Sequence, residues 1–252
     1  MAWIVSDIDG TLLDDSETCP LPSALLANVI GRHHVVFASS RTVAEINTFA
    51  RHLGWPSMPC IAEDGQVVRY ADGASTILGI PAALLRERLA LHGLAERVES
   101  LAAHTPPDRI ASLLIPVVRV PEIREGVTRA GLRVTLGGRW ATITGVEWNK
   151  GSAAQRLLAT LGVTQWVAIG NAANDASLLR AATWRFVIRN ANGGHDPGLV
   201  GIPDAVLLDT PGPLGWGEML ERLPATAMLT PEPEDHDATS HLDHHRPHDP
   251  RT

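Results

Sequence analysis

Short apolar runs alternate with longer amphipathic segments along most of this chain. Ala2-Trp3-Ile4-Val5 and His34-Val35-Val36-Phe37-Ala38 are almost wholly apolar, the pattern of strands covered on both faces of a sheet. Leu21 to Ile30, between them, carries apolar residues at helical spacing. Thr42 to Leu53 predicts a second helix, with Thr42 as N-cap and Glu45 three residues on, the spacing of a capping box. Met58 to Ala62 predicts a short strand that stops at Glu63-Asp64-Gly65, a turn signal, and Gln66 to Tyr70 predicts a strand pairing back on it. Gly65 is most simply a residue with positive φ. Strands and helices that alternate in this way predict an α/β fold with a doubly wound, mostly parallel sheet.

The rhythm changes between about residues 79 and 146. Pro81 to Leu91 reads as a helix, Ile110 to Val120 as β-rich and Glu122 to Ala130 as a helix. Leu132 to Leu136 and Arg139 to Thr144 read as two strands around Gly137-Gly138. The segment is expected to form an inserted α/β cap, with 1–78 and 147–224 as the core. The core rhythm resumes with a helix from Ser152 to Leu161 opened by Lys150, a strand at Trp166 to Ile169, and a helix from Asn174 to Ala181. Strands at Trp184 to Ile188 and Ala205 to Leu208 follow, then a helix from Leu214 to Leu223 that carries Trp216.

Composition narrows the function classes. The 252 residues carry a net charge of −7, with no basic footprint for nucleic acid. The last 28 residues, from Ala225, hold six of the acids, two of the bases and five of the eleven histidines. That tail is expected to be solvated and disordered. No apolar run reaches the length of a membrane span, and no basic-then-apolar leader is present, so a cytoplasmic protein is expected. Cys19 and Cys60 lack metal-ligand spacing and are expected to be free thiols, with one disulfide as the alternative.

The chemistry concentrates at strand ends. Asp7-Ile8-Asp9-Gly10-Thr11 follows the first strand, and in open α/β sheets ligands bind beyond the carboxyl ends of strands. Two carboxylates there suit attack on phosphorus or metal binding by one, and proton transfer by the other. The Gly10-Thr11 turn is expected to aim backbone N–H groups at phosphoryl oxygens. Ser39 ends the second strand, Lys150 stands at a helix start, and Gly170-Asn171-Ala172-Ala173-Asn174-Asp175 ends a later strand. A hydroxyl, a lysine and a divalent cation together neutralise an anionic ester so that Asp7 can attack it. Strand-end oxygens from Asp7, Asp9, Asn171 and Asp175 suit Mg²⁺.

These four elements, in this order, resemble the haloacid dehalogenase superfamily of phosphohydrolases, in the subgroup with an α/β cap. The resemblance implies Asp7 as nucleophile, Asp9 as acid and base, Gly10, Thr11, Ser39 and Lys150 as phosphate-binding residues, and Mg²⁺ as cofactor. Further segments are similar to mannosyl-3-phosphoglycerate phosphatases. Ser39-Ser40-Arg41-Thr42-Val43-Ala44-Glu45-Ile46 resembles their Ser-Ser-Lys-Thr-x-x-Glu-Ile, and Glu63-Asp64-Gly65 their Glu-Asn-Gly. Gly137-Gly138-Arg139-Trp140, Asn149-Lys150-Gly151 and Gly212-Pro213-Leu214-Gly215-Trp216 have counterparts there too. This implies a small phosphorylated sugar-acid substrate, with Arg139 available to grip a carboxylate or phosphate bidentately. A broader sugar-phosphate phosphatase and a degenerate phosphosugar-binding protein are the alternative readings.

One position departs from the superfamily pattern in a way that changes the chemistry. Asn171 stands where an aspartate normally ligates Mg²⁺, and an amide oxygen lacks the full negative charge. Asn171→Asp is therefore expected to tighten Mg²⁺ binding measured by calorimetry; unchanged or weaker binding contradicts the ligand assignment.

Overall fold

Eight strands form one sheet with Asp7 leaving its middle strand. The computed structural model describes residues 1–14, 19, 21, 23–55 and 58–229. The chain runs β1 (Ala2–Ser6), α1 (Ser23–Arg32), β2 (His33–Ala38), α2 (Val43–His52) and β3 (Cys60–Ala62). The hairpin strands β4 (Val67–Arg69) and β5 (Ser75–Ile77) follow. After the intervening segment come α6 (Lys150–Thr160), β9 (Val167–Gly170), α7 (Ala176–Ala181), β10 (Trp184–Arg189), α8 (Pro197–Val200), β11 (Ala205–Pro211) and α9 (Leu214–Glu221). Their sheet order is β11-β10-β9-β1-β2-β3-β4-β5. β1 pairs in parallel with both β2 and β9, and only β4 runs against the other strands, pairing antiparallel with β3 and β5. The order reverses at β1, so its carboxyl end is the switch point where such sheets bind ligands.

The sheet is sandwiched as its apolar strands require. Ile4, Phe37, Ile169 and Phe186 pack on one face with Trp55 and Trp216. Val5, Val36, Ile61 and Ala168 pack on the other with Leu157 and Leu178. Trp216 is fully buried and donates from Nε1 to Ser6 Oγ at 3.0 Å, while that hydroxyl donates to Asp7 O at 2.7 Å. The last helix thus braces the strand end that presents Asp7. The capping box of α2 forms as its sequence predicts, Thr42 accepting from Glu45 N and Glu45 from Thr42 N.

Between β5 and α6 a second layer is inserted: α3 (Ala82–Leu91), α4 (Ala95–Leu101), β6 (Leu113–Pro116), α5 (Arg124–Arg129), β7 (Leu132–Gly137) and β8 (Trp140–Gly145). Its three-stranded sheet, ordered β6-β8-β7, has its own apolar cluster, including Leu85, Leu89, Leu113, Val127 and Ile143. The architecture is α/β with a mostly parallel core sheet and an inserted α/β cap.

Several expectations are corrected. The β-rich stretch Ile110 to Val120 yields only β6, because the chain passes into a 3-10 turn from Val117 to Glu122, and Pro121 has no N–H for a ladder. The helix expected from Asn174 is preceded by a 3-10 turn, Ala173–Asp175, and α7 starts at Ala176. α4, α8 and β5 were not expected. The tail begins later than its composition suggests: Ala225–Leu229 forms a 3-10 turn that buries Ala227 in the core. The rest of the tail, with its histidines, lies outside the described residues.

Core and cap meet through buried polar groups. Glu63 (φ 52) and Asp64 (φ 57) both adopt left-handed backbone, followed by Gly65 (φ 93). A Cβ at position 65 would lie 2.2 Å from the Asn149 carbonyl carbon, so only glycine fits. This run turns the buried Glu63 carboxylate onto the cap, where it accepts from Ile110 N and Ala111 N at 3.0 Å and from Ser112 Oγ at 2.6 Å. Arg109 bonds both Ser112 Oγ and Ser40 O at 2.9 Å, and Thr42 Oγ1 donates to Asp108 at 2.6 Å. Glu63→Ala strands three cap donors and is expected to lower stability by on the order of 3 kcal/mol in denaturant unfolding. An unchanged midpoint would mean that the cap does not depend on this carboxylate.

Candidate active site

The turn after β1 is tightly wound. Thr11, Leu12 and Leu13 N–H all donate to Ile8 O, and Gly10 N–H donates to Leu13 O at 2.8 Å. Gly10 (φ 78) is obligatory, because a Cβ there would sit 2.3 Å from Asn171 Nδ2. This corrects the expected backbone cradle: the N–H groups of Gly10 and Thr11 are spent inside the turn. The polar group that Thr11 offers is its hydroxyl, 3.3 Å from both Asp7 Oδ2 and Asn171 Oδ1.

Lys150 links three distant segments. It opens α6, whose N-cap Asn149 forms a reciprocal box with Ser152. Its Nζ lies 2.7 Å from Asp7 Oδ1 and 2.7 Å from Asp175 Oδ1, and all three side chains are buried. Asp175 Oδ2 accepts from Asn171 N at 3.0 Å and Ala172 N at 3.2 Å. Both Asp175 oxygens are therefore occupied. Asp175 thereby holds Lys150 and shapes the loop of Asn171.

One ammonium sits between two carboxylates, and the charges do not balance. Burial and the nearby Asp175 push the Asp7 carboxyl up to about 8, against the pull of Lys150. Burial alone would lower the Lys150 ammonium, but Asp175 and Asp7 outweigh it and hold it above its ordinary value. Lys150 stays charged, and without a further cation Asp7 retains a proton near neutrality.

Asp9 has a different partner. It is partly exposed and held by Arg41, whose Nε lies 2.9 and 3.2 Å from its two oxygens. Its carboxylate is engaged by this guanidinium rather than by the Asp7–Lys150 bridge. Ser39 is buried at the end of β2, and its Oγ accepts from Arg41 N at 3.2 Å, which leaves its O–H to donate. Among the described residues no three carboxylates, histidines or cysteines converge as a metal cluster. The oxygens that do suit a hard cation are Asp7 Oδ2 and Asn171 Oδ1, which share the Thr11 hydroxyl; Asn171 Nδ2 is turned away to Asn190 Oδ1 at 3.0 Å. This pair fits Mg²⁺, which binds through one or two carboxylates and keeps several waters.

The cap roofs the site. The tip of the β7–β8 hairpin approaches the fourth motif, an ideal Cβ at Gly137 lying 3.8 Å from Asn174 Nδ2. Arg139 lies on the exposed turn beside it. Cross-strand register puts Arg133 opposite Thr144 and Thr135 opposite Thr142, and Thr142 donates to Asp64 Oδ2 at 2.6 Å. Arg133, Ser6, Asn190 and the bracing role of Trp216 escaped the sequence reading. Arg133 had a visible signal, since it alternates with Leu132 and Val134 and so shares the polar face of its strand. Cys19 and Cys60 are free thiols, and burial pushes Cys60 up to about 12.

Residues 4–83 and 133–194 match the haloacid dehalogenase-like hydrolase family, and the chain belongs to it. Solved structures share the fold. A Thermoplasma acidophilum protein, 0175, superposes with a TM-score of 0.72 at 15% identity, covering 88% of this chain and 97% of its own. TM0651 from Thermotoga maritima gives 0.69 at 18% identity, with 88% and 97% covered. BT1666 from Bacteroides thetaiotaomicron, described among phosphatases of the haloalkanoate superfamily, gives 0.66 at 17% identity, with 88% and 94% covered. Among the described residues no helix is long and apolar enough to cross a membrane.

The raised Asp7 carboxyl has a consequence for stability. The folded protein holds this proton more tightly than the unfolded chain, so metal-free stability falls as pH rises from 3.8 toward about 8. Asp7→Asn removes that loss. Its thermal midpoint should exceed wild type at pH 8, and the gap should close near pH 4. Equal midpoints at pH 8 contradict the protonated state.

Proposed function

We propose that the chain is a Mg²⁺-dependent phosphatase that hydrolyses a phosphate monoester of a sugar-type substrate through an aspartyl-phosphate on Asp7. The observation that carries this reading is the Asp7–Lys150–Asp175 bridge at the switch point of the sheet. A carboxylate held at a strand end by a buried ammonium is fixed in direction, and the same ammonium can bind phosphoryl oxygens.

In this reading Lys150 and the hydroxyls of Ser39 and Thr11 bind the phosphoryl group, and the bare Gly10 keeps the approach open. Asp7 and Asn171 would hold Mg²⁺, which when bound would supply positive charge against the phosphoryl oxygens and favour the ionised form of Asp7. An Asp7 oxygen forms a bond to phosphorus as the bond to the leaving oxygen breaks, and Asp9 gives that oxygen a proton. Asp9 then takes a proton from the water that attacks phosphorus, which frees phosphate and restores Asp7. Asp9 must leave Arg41 for both steps. Residues 79–146 act as a cap over a core of 1–78 and 147–224, excluding water and selecting the substrate. Arg139, on the hairpin turn, contacts the substrate when the cap closes.

The finer substrate reading is mannosyl-3-phosphoglycerate or its glucosyl analogue, supported by the shared segments around Ser39, Gly65, Gly137, Lys150 and Trp216. Two observations favour a second reading, a phosphosugar-binding protein without turnover: Arg41 grips Asp9, and Asn171 replaces a charged ligand.

The test is phosphate release with Mg²⁺ from mannosyl- and glucosyl-3-phosphoglycerate, beside simple sugar phosphates and an Asp7→Asn control. Turnover of the glycosyl-phosphoglycerates that vanishes in the control is expected. Activity confined to other sugar phosphates would keep the phosphatase and remove this substrate. Tight binding without turnover anywhere would favour the binding protein.

A further inference from the structure

A cleft of about 370 Å³ lies between the cap and the core on the Lys150 side of the site. Lys150, Asn149 and Asp64 form its floor, Arg133 and Thr135 its cap wall, and Ser177 and Arg180 its outer wall. The volume suits a small polar molecule rather than a polymer. Lys150 belongs to both the cleft and the Asp7 bridge, so a phosphate ester seated at Asp7 would extend its leaving group into this space.

Arg133 is poorly satisfied where it stands. Its Nη2 donates to Trp148 O, which fixes the guanidinium at the edge of the cap. Its Nε–H is buried and, among the described residues, finds no acceptor. Asp64 is the nearby carboxylate; its Oδ2 accepts from Thr142, its Oδ1 is buried without a partner among the described residues, and it forms no ion pair with Arg133 there. Burial lowers the guanidinium below its ordinary value and Asp64 only partly opposes this, so its charge is incompletely compensated. A second cation, the exposed Arg180, stands on the opposite wall, where likewise no described carboxylate pairs with it. A half-buried guanidinium with one buried N–H unpaired costs stability unless an acceptor fills the place.

We infer that Arg133, assisted by Arg180, is a specificity-determining residue that binds a carboxylate on the leaving-group side of the phosphate ester. This rests on the phosphatase reading and assigns recognition of the acid group to Arg133 rather than to Arg139 on the exposed turn. A planar carboxylate matches the fork of Arg133, whose Nε–H and a neighbouring Nη–H can donate side by side. The Thr135 hydroxyl on the same wall suits a hydroxyl group of such a molecule.

Two probes that differ at one carbon isolate the carboxylate: 3-phosphoglycerate, and glycerol 3-phosphate, which has an alcohol in its place. Phosphate release from both, and from p-nitrophenyl phosphate, is measured with the full chain and Mg²⁺. Wild type should favour 3-phosphoglycerate in kcat/KM by roughly tenfold or more, the worth of a charge-assisted hydrogen bond. Arg133→Met should bring that ratio close to one, Arg133→Lys should retain part of it, and Arg180→Gln should reduce it less. A ratio near one in wild type, or a ratio that survives in Arg133→Met, overturns the inference. If Arg133→Met melts at a lower temperature, Arg133→Lys decides instead, since it keeps the charge and loses the fork. Hydrolysis of p-nitrophenyl phosphate without carboxylate preference would leave the phosphatase standing and remove only this subsite; no release from any probe would remove the phosphatase reading itself.

Discussion

The buried ammonium of Lys150 between Asp7 and Asp175 is the constraint around which the site is arranged. It joins the end of β1, the start of α6 and the loop after β9, three segments far apart in sequence. Removing a charge from water is expensive, and the cost is offset only when its partners are close and well oriented. The surrounding structure supplies that orientation. Trp216 braces the strand end through Ser6, Asn149 caps the helix that carries Lys150, and two backbone N–H groups hold Asp175. Two carboxylates for one ammonium also leave an imbalance, and that imbalance is what a divalent cation and a phosphate ester would resolve together.

The second constraint is where the cap meets the core. Glu63 and Asp64 occupy left-handed backbone that non-glycine residues seldom adopt, and such strain persists only where the surroundings over-determine it. Here it turns one carboxylate to the cap backbone near residue 111 and the other to Thr142 in the cap sheet. The same turn donates from Asp64 N to Ser39 O, so the loop that carries Ser39 and the roof above it share one support. Cap position and site geometry are in this way mechanically linked.

Much of this was legible in the sequence, and the failures have physical causes. The apolar runs at Ile4, Val36 and Ile169 announced a parallel sheet, because strands covered on both faces cannot alternate. The Asp7, Ser39, Lys150 and Asn171 segments were legible because each follows a strand or opens a helix. Periodicity failed where proline and short 3-10 turns broke the ladder, as at Val117 to Glu122. It also could not say which way a side chain points within a loop. Asp9 looked like a partner of Asp7, but its carboxylate pairs with Arg41; the Asp175 carboxylate holds Lys150 and two backbone N–H groups, a role the sequence did not announce. The N–H groups of Gly10 and Thr11 looked free, but the turn closes on itself. Those outcomes depend on contacts between residues remote in sequence, which no local pattern encodes.

The central claim is that Asp7 attacks phosphorus. Its most direct test is acid quenching during turnover of whichever phosphate ester is hydrolysed, followed by borohydride reduction and peptide mass spectrometry. An aspartyl-phosphate reduces to homoserine, so the account predicts that change at position 7, dependent on substrate and absent in Asp7→Asn. Steady turnover with the modification at another residue would contradict it.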